Sequence, residues 1–143
     1  MSSSKAVTSK NFRPHILLVE DEPFVREATC LMLESLGFLV RAAANALEAI
    51  TIYEEGDLPI DLLMTDMVLS GANGRQLGKD LRQRSAHLRV LVTSGYPSPE
   101  YEIEDPSTNT YFLPKPYCCQ SLRAKIETIL GPLSWLADAA QAS

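Results

Sequence analysis

The residues able to do chemistry in this chain stand at the ends of apolar runs. Glu20, Asp21 and Glu22 follow His15-Ile16-Leu17-Leu18-Val19, and Asp66 closes the run Leu62-Leu63-Met64-Thr65. Ser94 follows Leu88-Arg89-Val90-Leu91-Val92-Thr93, and Lys115 comes just after Tyr111-Phe112-Leu113. Adjacent carboxylates repel one another in a partly dry crevice, so such a cluster needs a neutralising cation. All-oxygen donors select a hard ion, and Mg2+ suits them. The single amine of Lys115 offsets only part of the charge. A carboxylate beside a metal ion and an ammonium is poised as a nucleophile toward phosphorus, because cations neutralise the equatorial oxygens of a phosphoryl group in transit. The residue types therefore point to Asp66 accepting a phosphoryl group, with the Ser94 hydroxyl donating to one of its oxygens. Taken singly they carry little: an Asp after a strand is commonly a turn former, and a lone Lys a solvated charge. Their convergence must come from the fold.

The apolar runs read as buried strands, and helical spacing fills the gaps between them. Pro23 suits a first helical position, and Phe24, Ala28, Leu31, Met32, Ser35 and Leu36 follow at helical spacing up to Gly37, predicting a helix over 23–36. A second strand is expected over 38–42. Asn45-Ala46-Leu47-Glu48 then resembles a capping box that opens a helix over 46–55. Leu77 and Leu81 mark a helix over about 74–84, and 88–93 reads as strand four. After strand five, at Tyr111-Phe112-Leu113, a last helix is expected over 116–130 with Leu122, Ile126, Ile129 and Leu130 on one face. Between Gly95 and Tyr111, Pro97, Pro99 and Pro106 leave room for at most a short helix near 100–104. Five alternating βα units predict an α/β, doubly wound fold. Its five-stranded parallel sheet should have helices on both faces, right-handed crossovers, a short or irregular fourth helix and a ligand crevice at the carboxyl ends of the strands.

With 143 residues, 45% hydrophobic and 22% charged, the chain has the size of one domain. We divide it into a flexible tail over 1–12, a domain over 13–132 and a short tail over 133–143. A net charge of −5 supplies no basic field for phosphate backbones, which argues against direct nucleic-acid binding. No stretch approaches the roughly 18 apolar residues of a membrane span, and the first dozen residues lack a signal-peptide core, so a cytoplasmic protein is expected. Cys30, Cys118 and Cys119 have no spacing suited to zinc or a redox pair and read as reduced thiols. A small phosphatase or flavin-binding protein on the same layered fold lacks support, since there is no glycine-rich phosphate loop and no second nucleophile.

With these residues in place, the chain resembles the receiver domain of two-component response regulators, the family of the chemotaxis response regulator. The likeness runs through ILLVEDEP, DLLMTDMVLSGANG, VLVTSGY and FLPKPY, motifs that are specific together and weak singly. It implies that Asp66 is the phosphoacceptor, Asp21 a direct Mg2+ ligand, Glu20 an acid acting largely through water, and Val68 a ligand through its backbone carbonyl. Glu22 is not at a position the family uses for metal. The resemblance further implies that Ser94 bonds the phosphoryl group, with neighbouring Thr93 as the other register, and that Lys115 pairs with that group. Phe112 matches the aromatic switch position and reads equally as a core residue of strand five. The resemblance also implies a cis Lys115–Pro116 bond and a flavodoxin-like sheet with the strand order 2-1-3-4-5.

The function implied is that of a phosphoacceptor rather than an enzyme acting on other molecules. The donor would be a sensor histidine kinase, a phosphotransfer protein or a small molecule such as acetyl phosphate, and the output surface would switch on phosphorylation. The expectation is a single-domain regulator without DNA-binding output. A homodimer through the fourth helix, fifth strand and fifth helix is one assembly open to it. The alternatives are a pseudo-receiver serving as a constitutive interaction module and a receiver piece of a hybrid histidine kinase. Three local features of the sequence matter further, the first and last of them departures from the family. Ser70 stands where a proline commonly follows the phosphoacceptor by four residues, while Gly74 is kept, so loop length survives but stiffness is lost. Val68 and Tyr96, two positions beyond Asp66 and Ser94, offer apolar bulk and no group to orient a hydrolytic water, predicting slow self-dephosphorylation. The acidic segment holding Glu100, Glu102, Glu104 and Asp105 is expected to form a partner-specific or rearranging surface.

Overall fold

Strands that read as unbroken apolar runs are covered on both faces, and the sheet is built on two of them. β1 (His15–Val19) is buried throughout, and β3 (Leu62–Asp66) is buried at every position but Asp66. In this computed structural model, which describes residues 13–56, 59–95 and 104–131, they lie side by side in a parallel sheet with β2 (Leu39–Ala43), β6 (Arg89–Ser94) and β7 (Thr110–Pro114). Between β3 and β6, the two-residue strands β4 (Val68–Leu69) and β5 (Ala72–Asn73) form a separate antiparallel hairpin. The order β2-β1-β3-β6-β7 is the 2-1-3-4-5 order expected for the five principal strands. Register brings their carboxyl ends level, for Val19 pairs with Thr65, Asp66 with Thr93, and Ser94 with Pro114. Glu20, Asp66, Ser94 and Lys115 therefore emerge along one edge, where parallel sheets open a crevice.

Period-two alternation sorts the strand side chains into two layers. Ile16, Leu18, Leu62 and Met64 pack with Leu33 of α1 (Pro23–Ser35) and with Leu122 and Ile126 of α4 (Cys119–Leu130). On the other face Leu17, Val19 and Leu63 pack with Ala49 of α2 (Ala46–Glu55) and with Leu77 and Leu81 of α3 (Gly74–Arg82). Burial of each large aliphatic side chain contributes about 1.5–3 kcal/mol. Caps fix the helix starts. Asn45 Oδ1 accepts from the Glu48 amide at 2.8 Å, and the Glu48 carboxylate reaches back to the Ala44 amide, one residue before the cap, at 2.8 Å. Gly37, at φ 103°, ends α1 in the left-handed region that a glycine enters without strain.

Several expectations shift. On α1 the buried residues are Thr29 and Leu33, whereas Phe24 is 83% and Leu31 60% exposed. Val25, Ala28, Leu31, Met32 and Leu33 spread apolar surface around most of this helix, so spacing alone does not select the face; docking on the sheet does. Strands two and four each begin one residue later than expected, at Leu39 and Arg89, and α3 ends at Arg82. The last helix begins at Cys119 instead of 116, because Cys118 takes the cap position. Its Sγ accepts from the Ser121 amide at 3.4 Å while the Ser121 hydroxyl accepts from the Cys118 amide at 2.9 Å. All three cysteines are free.

Residues 96–103 lie outside the described residues, and so does the helix expected near 100–104 except for Glu104. From there a 3-10 turn, Pro106–Thr108, leads into β7, with Asp105 bridged to Thr110. The Glu104 carboxylate accepts from the Phe112 amide at 2.9 Å and pairs with Lys125 of α4. Burial works to raise the Glu104 pKa, but the Lys125 and Phe112 bonds together outweigh it and hold the carboxyl below its ordinary range. This turn covers the outer edge of β7, which would otherwise present unpaired amides. Among the described residues no helix is long and apolar enough to cross a membrane.

His15 begins β1 at 8% exposure, its amide donating to Asp61 Oδ2 at 2.8 Å and its Nδ1 buried without a hydrogen-bond partner. Burial, and then the charge of Arg41, lower its pKa from the ordinary 6.5 against weaker upward pulls from Asp61 and the Pro59 backbone. On acidification the unfolded chain takes up this proton first. The contribution to stability is thus complete above about pH 6.5 and is lost as pH falls through that value toward the lower folded pKa. We expect the thermal midpoint to fall further between about pH 7.5 and about pH 5.5 in the wild type than in His15→Gln. Equal falls would place the acid sensitivity elsewhere.

Candidate functional site

The edge is built from backbone outward. Glu20 leaves β1 with its amide donating to the Ala43 carbonyl at 3.1 Å, while the Glu20 carbonyl accepts from the Arg26 guanidinium at 2.8 Å. Asp21 follows, and Asp66 is the last residue of β3. Carboxylate oxygens of Glu20, Asp21 and Asp66 lie within 4.8 Å of one another. Lys115 Nζ reaches across from the end of β7, 3.0 Å from Glu20 Oε1 and 3.0 Å from Asp66 Oδ2. Its own amide is tied to the Ser94 carbonyl at 2.8 Å, and the Lys115–Pro116 bond is cis. Burial pulls the lysine pKa down, but bonds and charges from Glu20 and Asp66 outweigh it and hold it above the ordinary value. The amine is therefore fully charged at neutral pH, and its stabilising effect fades only as strongly alkaline pH passes through the raised value.

Three carboxylates against one ammonium leave an excess of negative charge in a site where Glu20 is only 4% exposed. The donors are all oxygen and close enough to share one ion, so the residues present fit Mg2+. Glu22 does not join them. Its carboxylate caps α1 by accepting from the Phe24 amide at 3.1 Å.

The backbone at Asp66 is clamped from behind. The Met67 amide donates to the Thr93 carbonyl and the Gly74 amide to the Met67 carbonyl, each at 2.7 Å, while the Thr65 hydroxyl donates to the Asp66 carbonyl at 3.0 Å. The start of α3 comes so near that a Cβ at position 74 would meet the Asp66 carbonyl oxygen at 2.0 Å. Glycine is required there by space. Two contacts had no legible signal in the sequence. The Ser70 amide and hydroxyl both donate to Asp21 Oδ2, at 3.1 and 2.9 Å. The Tyr117 hydroxyl lies 3.0 Å from the Thr29 hydroxyl, and burial, the larger effect, raises its pKa. Each pair is remote in sequence, so only the folded chain brings its members together.

Ser94 is 2% exposed at the end of β6, next to Pro114 in register. Thr93 is equally buried, but its hydroxyl faces the Thr65 carbonyl at 3.4 Å. Phe112 is 7% exposed and packs in the layer with Val92 and Leu77. Val68, two residues past Asp66, is 48% exposed. Tyr96 lies outside the described residues.

Residues 16–127 match the family described as the response regulator receiver domain. Over 116 residues the chain is 32% identical to the sensor kinase CckA of Brucella abortus, covering 80% of this chain and 12% of that kinase. The chain spans about half the length of the transcriptional regulators it also matches. Among solved structures, the receiver domain of the hybrid histidine kinase CckA is 34% identical with a TM-score of 0.69, covering 81% of this chain and 98% of that one. The response regulator TrrA of Thermotoga maritima, in complex with Mg(2+)-BeF, shares the fold at 23% identity and a TM-score of 0.69, covering 81% of this chain and 98% of that one.

Gly74→Ala should cost about 3 kcal/mol or more, because backbone has to move to relieve the contact with Asp66. The readout is a lowered urea midpoint at unchanged slope. A variant as stable as the wild type would mean that α3 and β3 move apart with little penalty.

Proposed function

Because this chain belongs to the response regulator receiver family of two-component systems, we propose that it accepts a phosphoryl group on Asp66, from a sensor histidine kinase or phosphotransfer protein, and changes its output surface in response. The observation that carries this reading is the position of Lys115 Nζ, 3.0 Å from both Asp66 and Glu20, beside an acidic cluster completed by Asp21. The Mg(2+)-BeF complex of TrrA supports Mg2+ as the cofactor. The clustered Glu20, Asp21 and Asp66, with the Val68 backbone carbonyl, would hold it. When bound, Mg2+ supplies neutralisation of the charge on the phosphoryl oxygens.

In this reading Lys115, bonded to Asp66 Oδ2, fixes the carboxylate and leaves the other oxygen as the nucleophile. That oxygen forms a bond to phosphorus as the bond from phosphorus to the donor imidazole nitrogen breaks, and the electron pair returns to the ring. Lys115 then pairs with a phosphoryl oxygen. Ser94 donates to another, since the Thr93 hydroxyl is turned to the Thr65 carbonyl. The inward pull on Ser94 opens space for Phe112, and the tie from the Phe112 amide to Glu104 extends the change to the turn before β7. An apolar groove of about 400 Å³, lined by Phe24, Val25, Met32, Pro116 and Tyr117, borders Lys115 and supports docking of a phosphodonor protein there. Action in the cytoplasm, no direct nucleic-acid contact and homodimerisation through the β7 and α4 face belong to the same reading. Similarity to the CckA receiver favours a second arrangement, in which the group passes onward to a phosphotransfer histidine.

Intact mass after incubation with Mg2+ and acetyl phosphate tests the first step. A gain of one phosphoryl group is expected in the wild type and none in Asp66→Asn or with the metal chelated. A phosphoryl group gained equally by Asp66→Asn would sink the assignment. In the same reading Val68 and Tyr96 bring no carboxylate or amide to orient a hydrolytic water, so Val68→Asn, Tyr96→Glu should shorten the phosphoryl lifetime at least about tenfold by adding groups that do. An unaltered lifetime would count against that account.

A further inference from the structure

The hairpin between β3 and α3 does more than connect them. Its tip places Ser70 against Asp21, a residue 49 positions earlier, and both donors of Ser70 converge on the same oxygen, Oδ2. Hydrogen bonds to a carboxylate fix its orientation. Because both fall on Oδ2, Oδ1 is left as the atom available to a cation, and the carboxylate is held against rotation about its terminal bond. A proline at position 70, the residue common at this point in the family, has neither an amide hydrogen nor a hydroxyl and supplies neither bond.

Resting on the receiver reading above, we propose that Ser70 is a positioning residue for divalent-cation binding: it holds Asp21 from outside the ligand set and raises the affinity of the site for Mg2+. It touches the cation only through Asp21. Partners of this kind orient ligands and raise metal affinity, by about 10–100-fold where buried. Ser70 is exposed, so the low end of that range applies. The departure from proline therefore replaces ring stiffness with two hydrogen bonds aimed at a ligand.

The test is a Mg2+ titration of the full chain followed by backbone amide chemical shifts, with the Mg2+-induced rise in thermal midpoint as a second readout. Neither depends on phosphorylation. Ser70→Ala, which loses the hydroxyl bond, should weaken Mg2+ binding about tenfold, and Ser70→Pro, which loses both, should weaken it further. Ser70→Thr, which keeps both donors, should restore it. Amide spectra in the absence of metal establish that each variant is folded. Unchanged or tighter binding in folded Ser70→Ala and Ser70→Pro overturns the proposal, because Ser70 would then be indifferent to the ion or in competition with it. A wild-type chain with no saturable Mg2+ response overturns the receiver reading itself and this inference with it. Normal wild-type binding with unaffected variants removes only the role of Ser70.

Discussion

Mutual repulsion among Glu20, Asp21 and Asp66 is the constraint to which the rest of the site answers. Three carboxylates within 4.8 Å are tolerable in a partly buried crevice only if cations and donors face them. Lys115 supplies the one ammonium among these contacts, divided between Glu20 and Asp66, and the two donors of Ser70 satisfy an oxygen of Asp21. The charge left over is what a hard cation would neutralise. A carboxylate that is poorly neutralised at rest is also one whose chemistry depends on what arrives.

Holding those charges together demands a rigid edge, and backbone provides it. Asp66 is fixed through the Met67, Gly74 and Thr65 bonds, and the approach of α3 is so close that a side chain at 74 has no room. Lys115 is fixed through the Ser94 carbonyl on the adjacent strand. β7, which leads into Lys115, carries Phe112, whose amide is bonded to Glu104, which in turn pairs with Lys125 of α4. A displacement at Lys115 thus has a continuous covalent and hydrogen-bonded route to the far side of β7. Such a route is a physical connection between the two ends of β7.

Much of this was legible beforehand. The strand runs were continuous because both sheet faces are covered, and the acids and the lysine stood at their ends, so the α/β order and the residues of the edge followed from pattern alone. The face of α1 did not, because apolar residues occupy most of its circumference and the sheet chooses which are buried. Nor did the start of α4, since a cysteine is an uncommon cap and Pro116 offered an apparently better first position.

What the sequence determined by itself is therefore the set of elements and which side chains share one edge, because periodicity and strand ends are local properties. Tertiary structure alone decided which partners those side chains take. Ser70 with Asp21, Tyr117 with Thr29 and Glu104 with Lys125 and the Phe112 amide are all joined across loops whose paths no local preference specifies. Hydrogen bonds act over about 3 Å, so a residue's type shows that it needs a partner, and only the packed chain shows which one it has.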